Sequence, residues 1–432
     1  MKDILIKDVT IVTMDASDRI IEDGAIVINS GLIEYVGTKE ELPDGVHQRV
    51  LSCPNHVVIP GLINAHTHSP MSLMRGYADD MPLQEWLFTK IFPIEDKMSA
   101  EDMYIGSMLS CIEMIKSGTT AFADMYFNMD KVAQAVSQIG IRASLASGLS
   151  SSNEDIGKAI TNVEDFCNKY NGAASGRITT MIGPHAPYTC KPELLKDLAK
   201  LANSMGVGIH IHLSENQKEV DDIRKEYGLS PVEYVNSTGI FSNHTIAAHC
   251  VVLSKDDISI LKDNDVKSVH NPVSNMKLAS GISPVVDLIK AGVVVGLGTD
   301  SPTSNNNLDM LQEVRTASLL QKVLKLDALA LPAMEALKLA TIEGAKCLGL
   351  EDSIGSLEVG KKADMAFIDF SAVHLMPLTD VVSNIVYSSS GADVDTVIID
   401  GKIIMEDRMI KSVDESEVVQ RFNDSAKRLL RK

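Results

Sequence analysis

The pattern of apolar and polar positions divides the chain into three textures. Residues 1–56 carry short apolar runs separated by turn residues, DILIKDVTIVTM, GAIVINSGLIEYVG and RVLSCPNHVV, with no amphipathic helical stretch, and predict a small β module. From residue 57 to about 350, short apolar runs alternate with longer segments of helical period. Candidate strands fall at 57–63, 120–124, 141–147, 178–183, 207–212, 245–248, 266–270 and 293–298, with helical patterns between them. The tail returns to β texture in GSLEVGKKADMAFIDF and VDTVIIDGKIIMEDRMI, then closes with a helix over 415–430.

Strands alternating with helices over ~300 residues predict an α/β fold, a (β/α)8 TIM barrel with insertions, since that fold typically takes ~250 residues. An open doubly wound sheet is the alternative, but no G-x-G-x-x-G or G-x-x-x-x-G-K-[ST] element follows any candidate strand. The two β-rich ends predict one small β-sandwich domain built from 1–56 and 359–432, around a barrel spanning 57–358.

Composition narrows the function. Hydrophobic residues at 45% and charged residues at 23% are those of an ordinary globular protein. Forty Lys and Arg against 58 Asp and Glu leave a net charge of −18, which opposes binding to nucleic acid or anionic membrane surfaces. The longest apolar stretches, such as 291–298, are less than half of the ~20 residues that a membrane span needs. Six scattered cysteines without a C-x-x-C pair, and a start without signal character, lead us to expect a reduced, cytoplasmic protein. Aromatic residues are scarce, 4% with the single Trp86, against 20 Met.

The chemistry concentrates at strand ends. In PGLINAHTH, His66 and His68 lie at i and i+2 of an extended segment, so both can reach one metal ion. His210 and His212 close the fifth candidate strand, His249 follows the sixth, His270 ends the seventh and Asp300 follows the eighth. A TIM barrel gathers its active site at the C-terminal ends of its strands, so these groups would converge. His66, His68, one of His210 and His212, and Asp300 make a three- or four-ligand N/O set with room for water, and spacing alone does not choose between His210 and His212. Glu215, three residues past His212, suits a general acid/base beside such a centre or, equally, a cap on the helix that follows.

PGLINAHTH, IHIHLSE, AAHC, HNPVSNMKLASG, LGTDSPTSNNNLDM and the closing GSLEVGKKADMAFID, in this order, resemble the amidohydrolase superfamily. Within it they are most similar to the 5-methylthioadenosine/S-adenosylhomocysteine deaminase branch and the related 5′-deoxyadenosine deaminases. The resemblance implies hydrolytic deamination of adenosine derivatives at adenine C6. It implies that His66, His68, His212 and Asp300 hold one divalent ion, Zn2+ by preference or Fe2+, with Glu215 as proton shuttle. His249 would orient the activated water, Asp300 would assist proton transfer, and Glu215 and Asp300 would touch the substrate. His185, in IGPHAPYTC, would hydrogen-bond the nucleoside, and Glu95, in IFPIEDKM, would accept from the ribose hydroxyls. No Lys ends the fourth strand, so one metal is expected rather than two.

Two positions depart from the branch's pattern. Ser147 stands where members that act on S-adenosylhomocysteine commonly carry Arg, which favours a small neutral 5′ group, as in 5′-deoxyadenosine or 5′-methylthioadenosine. Ser301 follows Asp300 where Gly is common. The rival readings are a guanine or cytosine deaminase, an s-triazine hydrolase, or a non-catalytic scaffold on the same fold. Barrels of this kind often oligomerise, so a homo-oligomer, tetramer or dimer, is expected, and Trp86, Phe88 and Phe92 are candidates for a lid or a subunit contact.

Overall fold

The structure, a computed structural model, describes residues 2–430; Met1, Arg431 and Lys432, assigned above to the terminal domain, lie outside the described residues. Eight parallel strands pair in chain order: β1 Leu62–Thr67, β2 Thr119–Tyr126, β3 Arg142–Leu149, β4 Ile178–Pro184, β5 Gly208–Leu213, β6 Thr245–His249, β7 Lys267–His270 and β8 Val295–Leu297. Helices connect them, and several begin where the local sequence encodes a start. Ser99 with Asp102, Ser230 with Glu233 and Ser254 with Asp257 each form a reciprocal capping box at a helix N-terminus. Small and apolar side chains such as Ala65, Ala121, Ala123, Ala146, Met181 and Val269 form a core cluster with Ala345 and Cys347 of the helix Ile342–Leu348.

The barrel closes between its first and last strands by few bonds, and these lie at the site. Asp300 N donates to His66 O at 2.9 Å, and Thr67 and Asp300 form an isolated parallel bridge. Asn64 Nδ2 donates to Thr299 Oγ1 at 2.7 Å, while Thr299 N donates to Asn64 Oδ1 at 2.9 Å. Gly298 leaves the room this seam needs, since a Cβ there would lie 2.8 Å from His66 N.

The expected β-sandwich is hydrogen-bonded as one nine-stranded sheet from both chain ends. Lys2–Val12, Ile20–Asn29, Leu32–Thr38, His47–Ser52 and His56–Pro60 come from the N-terminal side; Met365–Asp369, Val394–Ile399, Lys402–Glu406 and Met409–Ile410 come from the C-terminal side. The halves join where His56–Pro60 runs antiparallel to Met365–Asp369. Ile6, Ile11, Ile26 and Ile28 pack with Met365, Phe367 and Ile398 in a core of their own.

The strand expected over 57–63 is a correction. Residues 56–60 belong to the terminal sheet and β1 starts only at Leu62, so the sheet runs past the boundary placed after residue 56. The apolar run is buried on both sides of the switch, so periodicity does not reveal it. The break is Gly61, whose N–H turns to Asp364 O at 3.0 Å and where a Cβ would lie 2.0 Å from Thr120 Oγ1. The other seven strands and the helix Glu415–Leu430 lie where the pattern places them. Among the described residues, no helix is long and apolar enough to cross a membrane, and all six cysteines are free thiols.

One buried ion pair couples the two parts. Arg142, at the start of β3, donates from Nε to Asp364 Oδ2 at 2.9 Å and from Nη2 to Oδ1 at 3.2 Å, and Asp400 N adds a third bond to Asp364 Oδ1 at 2.7 Å. Their side chains are 5% and 2% exposed. Asp364→Ala leaves the buried guanidinium only the longer contact to Asp400 Oδ1, 4.0 Å from Nη2, so it should cost about 3–5 kcal/mol in urea unfolding; a loss below about 1 kcal/mol, the range of exposed pairs, would show that the junction does not depend on this pair.

Candidate active site

Parallel strands send their C-terminal ends to one side, where a cavity of about 1260 Å³ opens. His68, Glu95, His185, His212, Glu215, His249 and Asp300 all line it. His66 lies fully buried among them, its ring 4.8 Å from that of His68 and 5.0 Å from that of His212. A bulge sets the first pair. Between Asn64 and Thr67, β1 advances three residues while β2 advances two, from Phe122 to Asp124. Such an extra residue bends the strand and re-aims its side chains, a recurrent device beside active sites.

Each imidazole is oriented by a bond at its far nitrogen. His68 Nδ1 meets Met125 O at 2.6 Å and His212 Nδ1 meets His185 O at 2.7 Å, so in both rings Nδ1 carries a proton, and the two Nε2 atoms face each other at 3.1 Å. His66 Nδ1 is 2.9 Å from His210 Nε2, and His66 Nε2 is buried without a hydrogen-bond partner. The two Nε2 atoms of His66 and His68 stand 3.4 and 3.3 Å from Asp300 Oδ1. Donor atoms of His66, His68 and Asp300, and likewise of His66, His212 and His249, lie within 4.8 Å of one another. Both groups share His66, and together they make one N/O donor set without sulfur, which suits a divalent cation.

Of the two histidines that spacing leaves open, His212 supplies a donor atom to this set. His210 stands behind His66 and fixes its ring. His270 is also fully buried, with neither ring nitrogen hydrogen-bonded, and lies outside the set.

Electrostatics point the same way. Burial drives His66 down to about 4, against the pull of Asp300, and holds His210 and His212 well below the usual histidine range with help from neighbouring rings. Burial also opposes the charge on Asp300, yet the His66 and His68 rings beside it keep its carboxyl well below the usual carboxylate range. His68 resists its own burial because Asp300 stabilises the ring's charge, which lifts it to about 9. Neutral rings thus surround an anionic carboxylate, and a proton on His68 occupies the electrostatic place of a cation. Asp300 is further held by Ser274 Oγ at 2.5 Å, Ser304 Oγ at 3.0 Å and Ser301 N at 2.7 Å. Ser301, the departure at this loop, closes it through bonds to Thr303 Oγ1 at 2.8 Å and Ser304 Oγ at 2.9 Å.

Glu215 is 5% exposed and faces the cavity, and burial raises its carboxyl above the usual range. It is not the cap of the following helix. That role belongs to Asn216, whose side chain accepts from Glu219 N at 2.9 Å. His249 Nδ1 lies 2.9 Å from Asn275 Oδ1 and 3.3 Å from Asn271 Nδ2. His185 bonds Thr189 Oγ1 through Nδ1 at 2.9 Å, which leaves Nε2 for a ligand.

Glu95 reaches the cavity on the short helix Phe92–Glu95, after a π-helical turn at Leu87–Ile91. It is buried, its carboxyl raised to about 7 by that burial despite a hydrogen bond from Tyr126 Oη. Trp86, Phe88 and Phe92 line the same wall. Sequence reasoning missed Tyr126, Ser274, Asn275 and Glu219. Asn275 and Ser274 stand inside HNPVSNMKLASG, so that motif was the available signal, whereas nothing local marks Tyr126, whose partner is 31 residues away.

The sequence profile of the amidohydrolase family matches residues 57–404. The chain belongs to the amidohydrolase family. This amidohydrolase is 49% identical over 431 residues to the 5-methylthioadenosine/S-adenosylhomocysteine deaminase of Pelotomaculum thermopropionicum, covering 100% of this chain and 99% of the relative. It is 47% identical over 434 residues to the 5′-deoxyadenosine deaminase of Methanosarcina acetivorans, covering 100% of this chain and 99% of the relative. Among solved structures, a zinc-bound adenosine deaminase from Xanthomonas campestris superposes with a TM-score of 0.96 at 34% identity, covering 99% of this chain and 98% of that one.

If a cation takes the place of the His68 proton, loading the metal-free protein with Zn2+ at neutral pH should release a proton. Apparent affinity should then rise about tenfold per pH unit until His68 ionises freely near 9. Calorimetric titrations in buffers of different ionisation enthalpy measure both, and an affinity independent of pH would contradict this assignment of charge.

Proposed function

We propose that the chain hydrolytically deaminates adenosine derivatives with a small uncharged 5′ substituent, 5′-deoxyadenosine or 5′-methylthioadenosine, to the hypoxanthine nucleoside and ammonia. S-adenosylhomocysteine is a weaker substrate in this reading, because Ser147 offers no guanidinium to an amino acid carboxylate. The observation that carries the proposal is the meeting of Glu215, Glu95 and His185 with the His/Asp donor set in one cavity. Full-length similarity to deaminases of such nucleosides supports it.

His66, His68, His212 and Asp300 would hold one divalent ion, Zn2+ by preference, as the orphaned Nε2 of His66 and the mutual approach of the donor atoms suggest. When bound, such an ion supplies Lewis-acid activation, lowering the pKa of water from ~15.7 towards ~7. Glu215 takes a proton from the attacking water and delivers it to purine N1, which makes C6 electrophilic as oxygen adds. Its burial suits the first half of the task, since a carboxylate whose pKa is raised above the usual range is a stronger base and takes the proton from water more readily. Asp300, with His249 beside it, takes the remaining hydroxyl proton and passes it to the amino group, so ammonia leaves and C6 becomes a carbonyl. His185 Nε2 bonds the nucleoside, and Glu95 accepts from the vicinal ribose hydroxyls through the carboxylate that Tyr126 orients.

A free-base deaminase or an s-triazine hydrolase has no diol for the buried Glu95 carboxylate to accept from. The metal-loaded protein should convert the adenine ultraviolet spectrum of 5′-deoxyadenosine to that of hypoxanthine, and an unchanged spectrum with 5′-deoxyadenosine, 5′-methylthioadenosine and adenosine alike would refute the proposal. Glu95 would grip the ribose diol more strongly when ionised, because the carboxylate offers a charged acceptor to each hydroxyl. The ratio of kcat/KM for 5′-deoxyadenosine to that for free adenine should therefore rise as pH increases through about 7. Glu95→Gln should flatten that ratio and lower it about 10- to 100-fold, the worth of a charge-assisted hydrogen bond; a ratio untouched by the substitution would remove Glu95 from the ribose site.

A further inference from the structure

Glu215 sits at the end of a turn whose backbone is unusual. Ser214, just before it, has φ 51°, in the left-handed region that side chains other than glycine disfavour. Such a conformation persists where its surroundings hold it. Part of the hold comes from the next strand's loop, since Ser214 O accepts from Val251 N and Val252 N, both at 3.0 Å.

The other part comes from Glu219, in the first turn of the helix Gln217–Tyr227. Its carboxylate folds back over the turn. Oε1 accepts from Ser214 N at 2.9 Å and Oε2 accepts from Glu215 N at 2.8 Å, so one side chain spans two consecutive amides. Glu219 is 1% exposed and is not among the residues lining the cavity. Burial opposes the charge on this carboxylate and the two amides stabilise it, so the group is kept inside at a cost. A helix cap alone does not need this, because Asn216 already supplies it.

We propose that Glu219 is a positioning residue that clamps the amides of Ser214 and Glu215, holding the Glu215 carboxyl at the height of the donor set formed by His66, His68, His212 and Asp300. The proposal rests on the reading of Glu215 as the proton shuttle. A carboxylate suits the clamp because it offers an acceptor to each amide, whereas a carboxamide offers one acceptor and turns its own N–H groups against the other amide.

The test uses the metal-loaded, full-length protein with 5′-deoxyadenosine. Glu219→Gln should lower kcat about 100-fold, the scale of an ångström's misplacement of a reacting group, with KM changed less than about threefold and metal content unchanged. Glu215→Gln should itself lose at least about 100-fold while retaining metal. Adding Glu219→Gln to Glu215→Gln should cost less than about threefold more, because a clamp has nothing left to position. A kcat for Glu219→Gln within about threefold of wild type, or its full loss repeated in the Glu215→Gln background, overturns the clamp. Full activity of Glu215→Gln overturns the shuttle reading and the clamp with it; an inactive Glu215→Gln beside a fully active Glu219→Gln overturns the clamp alone. If Glu219→Gln does not fold, Glu219→Asp, which withdraws both oxygens by one methylene, should show the same split between kcat and KM. Loss of folding in both variants overturns the proposal in favour of a purely structural role.

Discussion

A carboxylate buried at the seam of a barrel is the constraint on which the rest of this structure depends. Asp300 is 6% exposed, at a left-handed φ of 61°, and its own N–H helps to close the barrel against β1. An ionised carboxylate in such a place costs many kcal/mol unless positive or hydrogen-bonding partners surround it. Ser274, Ser304 and the Ser301 amide supply part of the compensation, and the imidazoles of His66 and His68 supply the rest. The demand for positive charge at this point is met by the proton that Asp300 stabilises on His68. Fold closure and cation affinity are thus the same arrangement seen from two sides.

Much of this was legible along the chain, because barrel strands are short apolar runs and their C-terminal ends are marked by polar residues. His66, His68, His212, His249 and Asp300 each stand at such an end, so topology alone brings them together. The choice between His210 and His212 was not legible from a period of two. Both face inward, but the pleat advances about 3.3 Å per residue, so His210 lies roughly 7 Å deeper and meets His66 instead of the cavity. The switch of sheets at Gly61 was hidden for a similar reason: the residues on both sides are equally buried, and hydropathy reports burial without saying in which layer.

The environment of Glu95 could not be read locally either. Beside Asp96 in a short helix it has the appearance of a solvated residue, and only the fold of the long segment after β1 carries it into the cavity against Tyr126. Glu219 is the opposite case. Its partners are four and five residues away, but whether its side chain reaches outward along the helix or back over the preceding turn depends on the left-handed bend at Ser214, which residue types do not announce.

The division of labour we propose is a stationary charged centre, a movable proton on Glu215, and a ribose grip remote from the reacting carbon. Its central claim is that oxygen from water replaces nitrogen at C6. The most direct measurement is mass spectrometry of the product formed from 5′-deoxyadenosine by the metal-loaded protein in 18O-labelled water. The account predicts one labelled oxygen in each hypoxanthine nucleoside, with one ammonia released per product. Unlabelled product, label appearing in the ribose, or cleavage of the nucleoside without deamination would contradict it.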